Sequence, residues 1–253
     1  MIKSIRYCFF LIIMLTCTNL KGFQTGEKLT YAIKYGVITA GQAVLEVGET
    51  VYHDSIDCYL IKSTSKTNSF FDTVFRVRDK IESVLDKKRF VSYKFTKKLR
   101  EGSYRQDRIH FYYPDQNFSL YLKYSKKQKR FKEKRMEIPS DTQDILSAFY
   151  WTRNQDLEVG KSVFINVTVD GRNCNTEIKI LRKEEIKTIF GLKECLVIEP
   201  VLLGEAIFKQ TGNILVWITN DEYKVPIKME SKIIFGSFKA ILKDAENVPY
   251  TNK

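Results

Sequence analysis

Apolar and polar side chains alternate with a period of two along most of this chain, in short runs cut by turn residues. A period of two puts one set of side chains on each face of a pleated strand, so each run reads as a half-buried β-strand. In Leu29–Tyr35 one face carries Leu29, Tyr31, Ile33 and Tyr35. From Val74 to Leu85 the alternation sets Arg76, Arg78, Lys80 and Glu82 against Phe75, Val77, Ile81 and Leu85. Asp79 breaks the apolar set and is expected to be hydrogen-bonded there or to sit at a bend. Further strands are predicted over 93–99, 103–113, 118–124, 163–169, 177–181, 186–190 and 195–202. Glu101-Gly102, Pro114-Asp115-Gln116-Asn117, Asp170-Gly171 and Gly191 mark the reversals between them. Regular short strands joined by tight turns predict a mainly β protein: antiparallel strands forming a curved sheet, an open barrel or a sandwich.

One segment departs from this period. Ser140-Asp141-Thr142-Gln143 has the spacing of a capping box, and Ile145, Leu146, Phe149 and Tyr150 recur at helical intervals behind it. The pattern predicts a single short amphipathic helix near 140–154, covering a concave face or the open end of the sheet.

Two motifs at opposite ends of the chain carry a resemblance. The first is Gly26-Glu27-Lys28-Leu29 followed by Tyr35-Gly36 and Ala40-Gly41-Gln42-Ala43. The second is Trp217 with Asp221 and Pro226, then Gly236-Ser237-Phe238, Ala240 and Leu242. In these motifs, and in Asp144, Ser147, Ala148 and Tyr150 between them, the chain resembles the domain-of-unknown-function family 3108 of Gram-negative envelope proteins. The resemblance runs over nearly all of the chain after the N-terminal segment. It implies an exported β protein and brings no activity with it.

The N-terminus has the layout of a secretory signal: Lys3 and Arg6, an apolar run from Cys8 to Cys17, and polar residues from Thr18 to Lys21. That run is too short to span a bilayer as a helix. Residues 1–22 are read as the signal, with cleavage between Thr18 and Phe23 and Gly22 as the small residue before the cut, leaving 23–253 as one all-β domain. Lipidation of Cys17 is the minority alternative, because Thr16 precedes it where a smaller residue is preferred. The expected location is the periplasm or the periplasmic face of the outer membrane.

The formal net charge is +12, and residues 1–22 hold three bases and no acid, so their removal leaves +9. Such a surplus favours anionic partners. Much of it lies in Lys123, Lys126, Lys127, Lys129, Arg130, Lys132, Lys134 and Arg135, opposed only by Glu133. A solvated hairpin that protects a sheet edge explains the run; a contact with an anionic membrane surface is the sharper alternative. No nucleic-acid motif is present, and an exported protein has little access to nucleic acid.

Chemistry-bearing patterns are thin. Beyond the signal the chain keeps Cys58, Cys174 and Cys195, which allows at most one disulfide and leaves a free thiol. Cys58 and Cys195 fall in apolar strand runs, where a thiol acts as a small hydrophobe. His53 and His110 stand apart, and no Cys/His spacing for a metal, no nucleophile elbow and no phosphate loop occurs. No catalytic residue, metal or cofactor is assigned. Asp79/Glu82 and Asp221/Glu222 are the carboxylate pairs available for glycosidase-type work, though turn capping explains Asp221. Asp54-Ser55-Ile56 and Asp72-Thr73-Val74 match a three-residue O-glycosylation pattern.

Three functions fit these residues. The favoured one is a non-enzymatic envelope protein whose curved sheet holds a lipid or other apolar ligand as carrier or assembly factor, with Tyr31, Tyr35, Phe149 and Trp217 as candidate contacts. The second is a scaffold that pairs with an envelope protein through a sheet edge or the basic segment. The third is a glycan-acting hydrolase with facing carboxylates.

Overall fold

The computed structural model describes residues 22–53, 55–203, 214–233 and 236–250. Residues 1–21, which hold the signal-like segment and Cys17, lie outside the described residues, as does Asp54 of the first glycosylation-like triplet.

The strands are β1 (Lys28–Tyr35), β2 (Ile38–Tyr52), β3 (Ile56–Thr67), β4 (Arg78–Asp86), β5 (Ser92–Glu101), β6 (Tyr104–Tyr113), β7 (Phe118–Ser125), β8 (Arg130–Glu137), β9 (Gln143–Asp144), β10 (Ser162–Val169), β11 (Arg172–Thr188), β12 (Gly191–Leu203), β13 (Ile214–Thr219), β14 (Pro226–Ile233) and β15 (Gly236–Glu246). Two short helices join them, α1 (Ser69–Asp72) and α2 (Ile145–Thr152). All fifteen strands form one curved sheet in the order β8-β7-β6-β5-β4-β3-β2-β1-β15-β14-β13-β12-β11-β10-β9. The first and last long strands lie side by side at its middle, Tyr31 opposite Leu242 and Tyr35 opposite Phe238. The motifs at the two ends of the sequence are therefore neighbours in one ladder.

The sheet curls until its outer strands meet without a ladder between them. The β10–β11 turn packs against β5 to β8: Asp170 pairs with Arg108 and, at 3.7 Å, with Lys97. Tyr112 and Thr168 hydroxyls bond each other, and Lys134 Nζ donates to the Gly171 carbonyl at 2.9 Å. Asp170 and Gly171 both have positive φ, 50° and 79°, as a two-residue hairpin requires. A side chain at Gly171 would also run into the Tyr121 ring. The result is a barrel-like wrap with an unsealed seam.

Helix α2 sits inside the curl, since it touches both β4 and β10, which are far apart in the strand order. Its Leu146 and Tyr150 pack with Phe23, Val47, Tyr59, Ile61 and Leu85, while Phe149 also reaches Ile178, Leu196, Val216 and Ile218. Trp217 points the other way from Val216 and Ile218, as alternation demands. It joins Leu29, Tyr31, Val197, Ile227 and Leu242 under a second layer of Phe190, Tyr223 and Tyr250.

Three sequence expectations need correction. The helix begins after Asp144, not Ser140: Gln143 and Asp144 are extended and pair with β10, and Gln143 Nε2 donates to the Phe90 carbonyl at 2.6 Å. The capping box is Asp144 with Ser147. Next, 74–77 do not join β4. Asn68 caps α1 there, an Asp72–Arg78 ion pair ties the segment down, and Val74 and Phe75 are exposed. Finally, 177–181 and 186–190 are not two strands; the single strand β11 runs through both, with a bulge at Leu181. Cys58, Cys174 and Cys195 are all free and buried, and burial pushes the Cys58 and Cys195 thiols up to about 11.

Candidate functional site

The β7–β8 hairpin forms one edge of the sheet, and β8 is exposed along its length except at Met136. Among the described residues Lys126, Lys127, Lys129, Arg130 and Lys132 have no carboxylate partner. The last two basic residues are engaged: Lys134 crosses the seam to Gly171, and the Arg135 guanidinium lies 3.6 Å from the Phe118 ring centre. The hairpin tip is thus a concentrated, unneutralised positive charge. Lysines along an edge strand also resist pairing with a foreign strand.

The four candidate ligand contacts do not surround one space. Tyr31 and Trp217 share a packed cluster; the Tyr31 hydroxyl donates to the Pro226 carbonyl at 2.9 Å, and Lys228 Nζ stands 3.8 Å over the indole. Phe149, on α2 inside the curl, lies between two other clusters. Tyr35 is half-exposed at the far end of β1, its ring 5.2 Å from that of Phe238.

The candidate carboxylates are occupied. Asp79 Oδ1 accepts from Arg100 N at 2.8 Å. Burial, and then contact with the Asp79 carboxyl, raise Glu101 above the usual carboxylate range. A glycosidase holds its two carboxyls about 5–10 Å apart, across a cleft; a hydrogen-bonded pair leaves no room for a glycosidic bond. Glu82 pairs with Lys80 at 2.9 Å. Asp221 accepts from Thr219 Oγ1, Tyr223 N and Lys224 N and from the Tyr250 hydroxyl, so it organises the β13–β14 turn. Asp79 lines a shallow groove of about 320 Å³ with Gln42, Thr64, Lys66, Arg78 and Lys80.

Three buried polar centres escaped the sequence reading. Asp144 caps α2 with one oxygen, at 2.8 Å from Leu146 N and 2.9 Å from Ser147 N, and accepts from Ser83 and Ser92 with the other. Burial pushes its carboxyl up, and the serine hydroxyls oppose that. Arg153 at the end of α2 forms a bidentate pair with Glu27 at 2.6 and 2.8 Å and also donates to the carbonyls of Gly22 and Tyr223. His110, inside β6, stacks on Tyr112, has no partner at Nε2 and is pushed down to about 4 by burial. His53 is exposed in the β2–β3 turn with φ of 48°. Asp72 and Thr73 of the second glycosylation-like triplet are bonded to Arg78 and to the Phe70 carbonyl. Among the described residues no three His, Cys, Asp or Glu side chains gather as metal ligands, and no helix is long and apolar enough to cross a membrane.

Comparison with known proteins adds a family and a fold. A β-barrel-like protein of domain of unknown function DUF1849 from Brucella abortus superposes with a TM-score of 0.57 at 9% identity, over 88% of this chain and 99% of that one. At that identity the likeness establishes the fold alone. A candidate exported protein with a YmcC-like fold from Bacteroides fragilis gives 0.37 at 9% identity over 88% and 97% of the two chains. A candidate lipoprotein from Parabacteroides distasonis gives 0.34 at 8% over 88% and 96%. No curated protein matches the sequence. The model of the family described as Protein of unknown function (DUF3108) matches residues 30–243, most of the sequence, and the chain belongs to that family.

Proposed function

We propose that this protein is an exported, non-catalytic envelope module that works through its surface, meeting an anionic partner with the β7–β8 hairpin. The observation that carries the reading is the positive charge, without carboxylate partners among the described residues, of Lys126, Lys127 and Lys129 in the β7–β8 turn and Arg130 and Lys132 on the edge strand β8. A cluster of that density raises the local concentration of anionic partners. The signal-like N-terminus supports export. The enzyme reading loses support because Asp79, Glu82 and Asp221 are each bound into the scaffold. The carrier reading loses support because Tyr31, Phe149 and Trp217 are side chains of packed clusters.

Cell fractionation tests the reading. The wild-type protein is expected in the envelope fraction, released by raised salt. Replacing Lys126, Lys127, Lys129 and Arg130 with Gln should move it to the soluble periplasmic extract. Unchanged recovery of that variant in the envelope fraction would overturn the hairpin's role, and retention of both proteins in the cytoplasm would overturn export.

A further inference from the structure

The antiparallel order brings the β1–β2, β3–β4, β5–β6 and β7–β8 connections to one rim of the sheet. Large apolar side chains stand out from three of these four connections. Val37 is 93% exposed on the first, Phe70 and Val74 are 69% and 75% exposed on the second, and Tyr104 flanks the third. The tips are held side by side: Asn68 Nδ2 donates to the Thr39 carbonyl at 2.7 Å, and Gly102 N donates to the Arg76 carbonyl at 2.8 Å. Tyr35 and Phe238 extend the arc toward the middle of the sheet. Water gains nothing from exposed valine and phenylalanine, so their concentration on one rim calls for a partner.

The charge of the same rim indicates which partner. Of its acids, Asp72 is paired with Arg78 and Asp107 with Arg100 at 2.7 Å, while Asp79 and Glu101 hold each other. Its fourth connection is the unpaired basic tip of the β7–β8 hairpin. The opposite rim carries both signs, with Lys87, Lys88 and Arg89 in one turn and Asp115, Asp221 and Glu222 in others, and Arg89 there pairs with Asp115. Its exposed apolar side chains there, Val51 and Leu192, stand singly.

We infer that this rim docks onto a bilayer surface rich in anionic phospholipid, Val37, Phe70 and Val74 entering the headgroup–acyl boundary while the hairpin lysines meet the phosphates. The inference rests on the surface reading above and names its partner. Apolar tips on separate loops suit a lipid surface, which closes around each tip; a protein partner would have to be complementary to a discontinuous arc. Each Lys or Arg held near an anionic leaflet strengthens binding about fivefold, and that gain is screened by salt.

The test is co-sedimentation of the purified protein with phosphatidylglycerol vesicles and with phosphatidylcholine vesicles. Binding to the former, weaker at high salt and weak on the latter, is expected. Val37→Glu/Phe70→Glu/Val74→Glu should weaken binding at least about tenfold, and the milder triple serine variant should weaken it less. Val51→Glu/Leu192→Glu, on the opposite rim, should bind as wild type, and circular dichroism would confirm that each variant is folded. If the folded rim variants bind like wild type while the hairpin Gln variant does not, insertion is overturned and the surface reading stands. If wild type ignores phosphatidylglycerol vesicles, the lipid partner is overturned; hairpin-dependent capture of an envelope protein would then sustain the broader reading alone.

Discussion

Arg153 grips Glu27 through two parallel hydrogen bonds of 2.6 and 2.8 Å although 126 residues separate them. Both side chains are almost wholly buried, at 1% and 2% exposure. The same guanidinium takes the Gly22 carbonyl at 2.6 Å and the Tyr223 carbonyl at 3.1 Å, so it ties the start of the fold, the end of α2 and the β13–β14 turn together. Removing one partner strands the other charge in an apolar setting, which costs about 3–5 kcal/mol. Glu27→Ala and Arg153→Ala should each lower the free energy of unfolding in urea by that margin. The double variant should cost less than the two losses added, because neither charge is then left alone. Additive losses would show that the two residues act independently.

Gly22 is part of the fold, which moves the expected cleavage. Its N–H donates to Asn154 Oδ1 at 2.7 Å, and a Cβ there would lie 2.4 Å from the Arg153 carbonyl oxygen. A cut after Gly22 would delete these contacts. We predict that the exported protein keeps Gly22, with its first residue at or before it. N-terminal sequencing of protein from periplasmic extract decides this; a chain starting at Phe23 would count against it.

Asp144 fastens α2 to β4 and β5. Asp144→Ala removes the cap, worth about 1 kcal/mol. It also leaves the Ser83 and Ser92 hydroxyls buried without their acceptor, at about 1–3 kcal/mol for each such group. A loss of about 3 kcal/mol or more in denaturant unfolding is expected. Ser83→Ala/Ser92→Ala in the Asp144→Ala background should recover part of it, since the stranded donors are gone; no recovery would mean the hydroxyls find other partners.

The strands were legible because most of them bury only one face, and a half-buried strand writes its period into the sequence. Legibility failed where a distant contact outweighed local pattern. Phe75 and Val77 continue the alternation of β4, but the Asp72–Arg78 pair and the Asn68 cap turn that stretch into a loop. Ser140 and Gln143 have capping-box spacing, but β10 recruits Gln143 and Asp144 as a strand. The role of the Gly26-Glu27 motif was out of reach for the same reason. Glu27 looks like a surface acid until α2 delivers Arg153 to it. The basic run was visible as charge and as a hairpin at a sheet edge; its place beside apolar tips from connections as distant in sequence as Val37 and Tyr104 needed the strand order.

His110 gives the fold a pH dependence of its own. The ring is 2% exposed, opposite Tyr121 on β7 and stacked on Tyr112 at 4.5 Å, with no carboxylate among the described residues to stabilise a charge on it. Burial lowers its folded pKa to about 4, against about 6.5 in an unfolded chain. Between those values the unfolded state binds a proton that the folded state refuses. Stability from this group is therefore complete above about pH 6.5 and declines as pH falls toward 4. Below 4 both states are protonated and the loss levels off. One pKa unit corresponds to about 1.4 kcal/mol, so the full loss is roughly 3 kcal/mol. His110→Phe cannot titrate, and the difference in unfolding free energy between wild type and this variant should change by that amount between pH 7 and pH 4, with the wild type losing more. Parallel profiles for the two proteins across that range would show that the imidazole reaches water or an acid in the folded state.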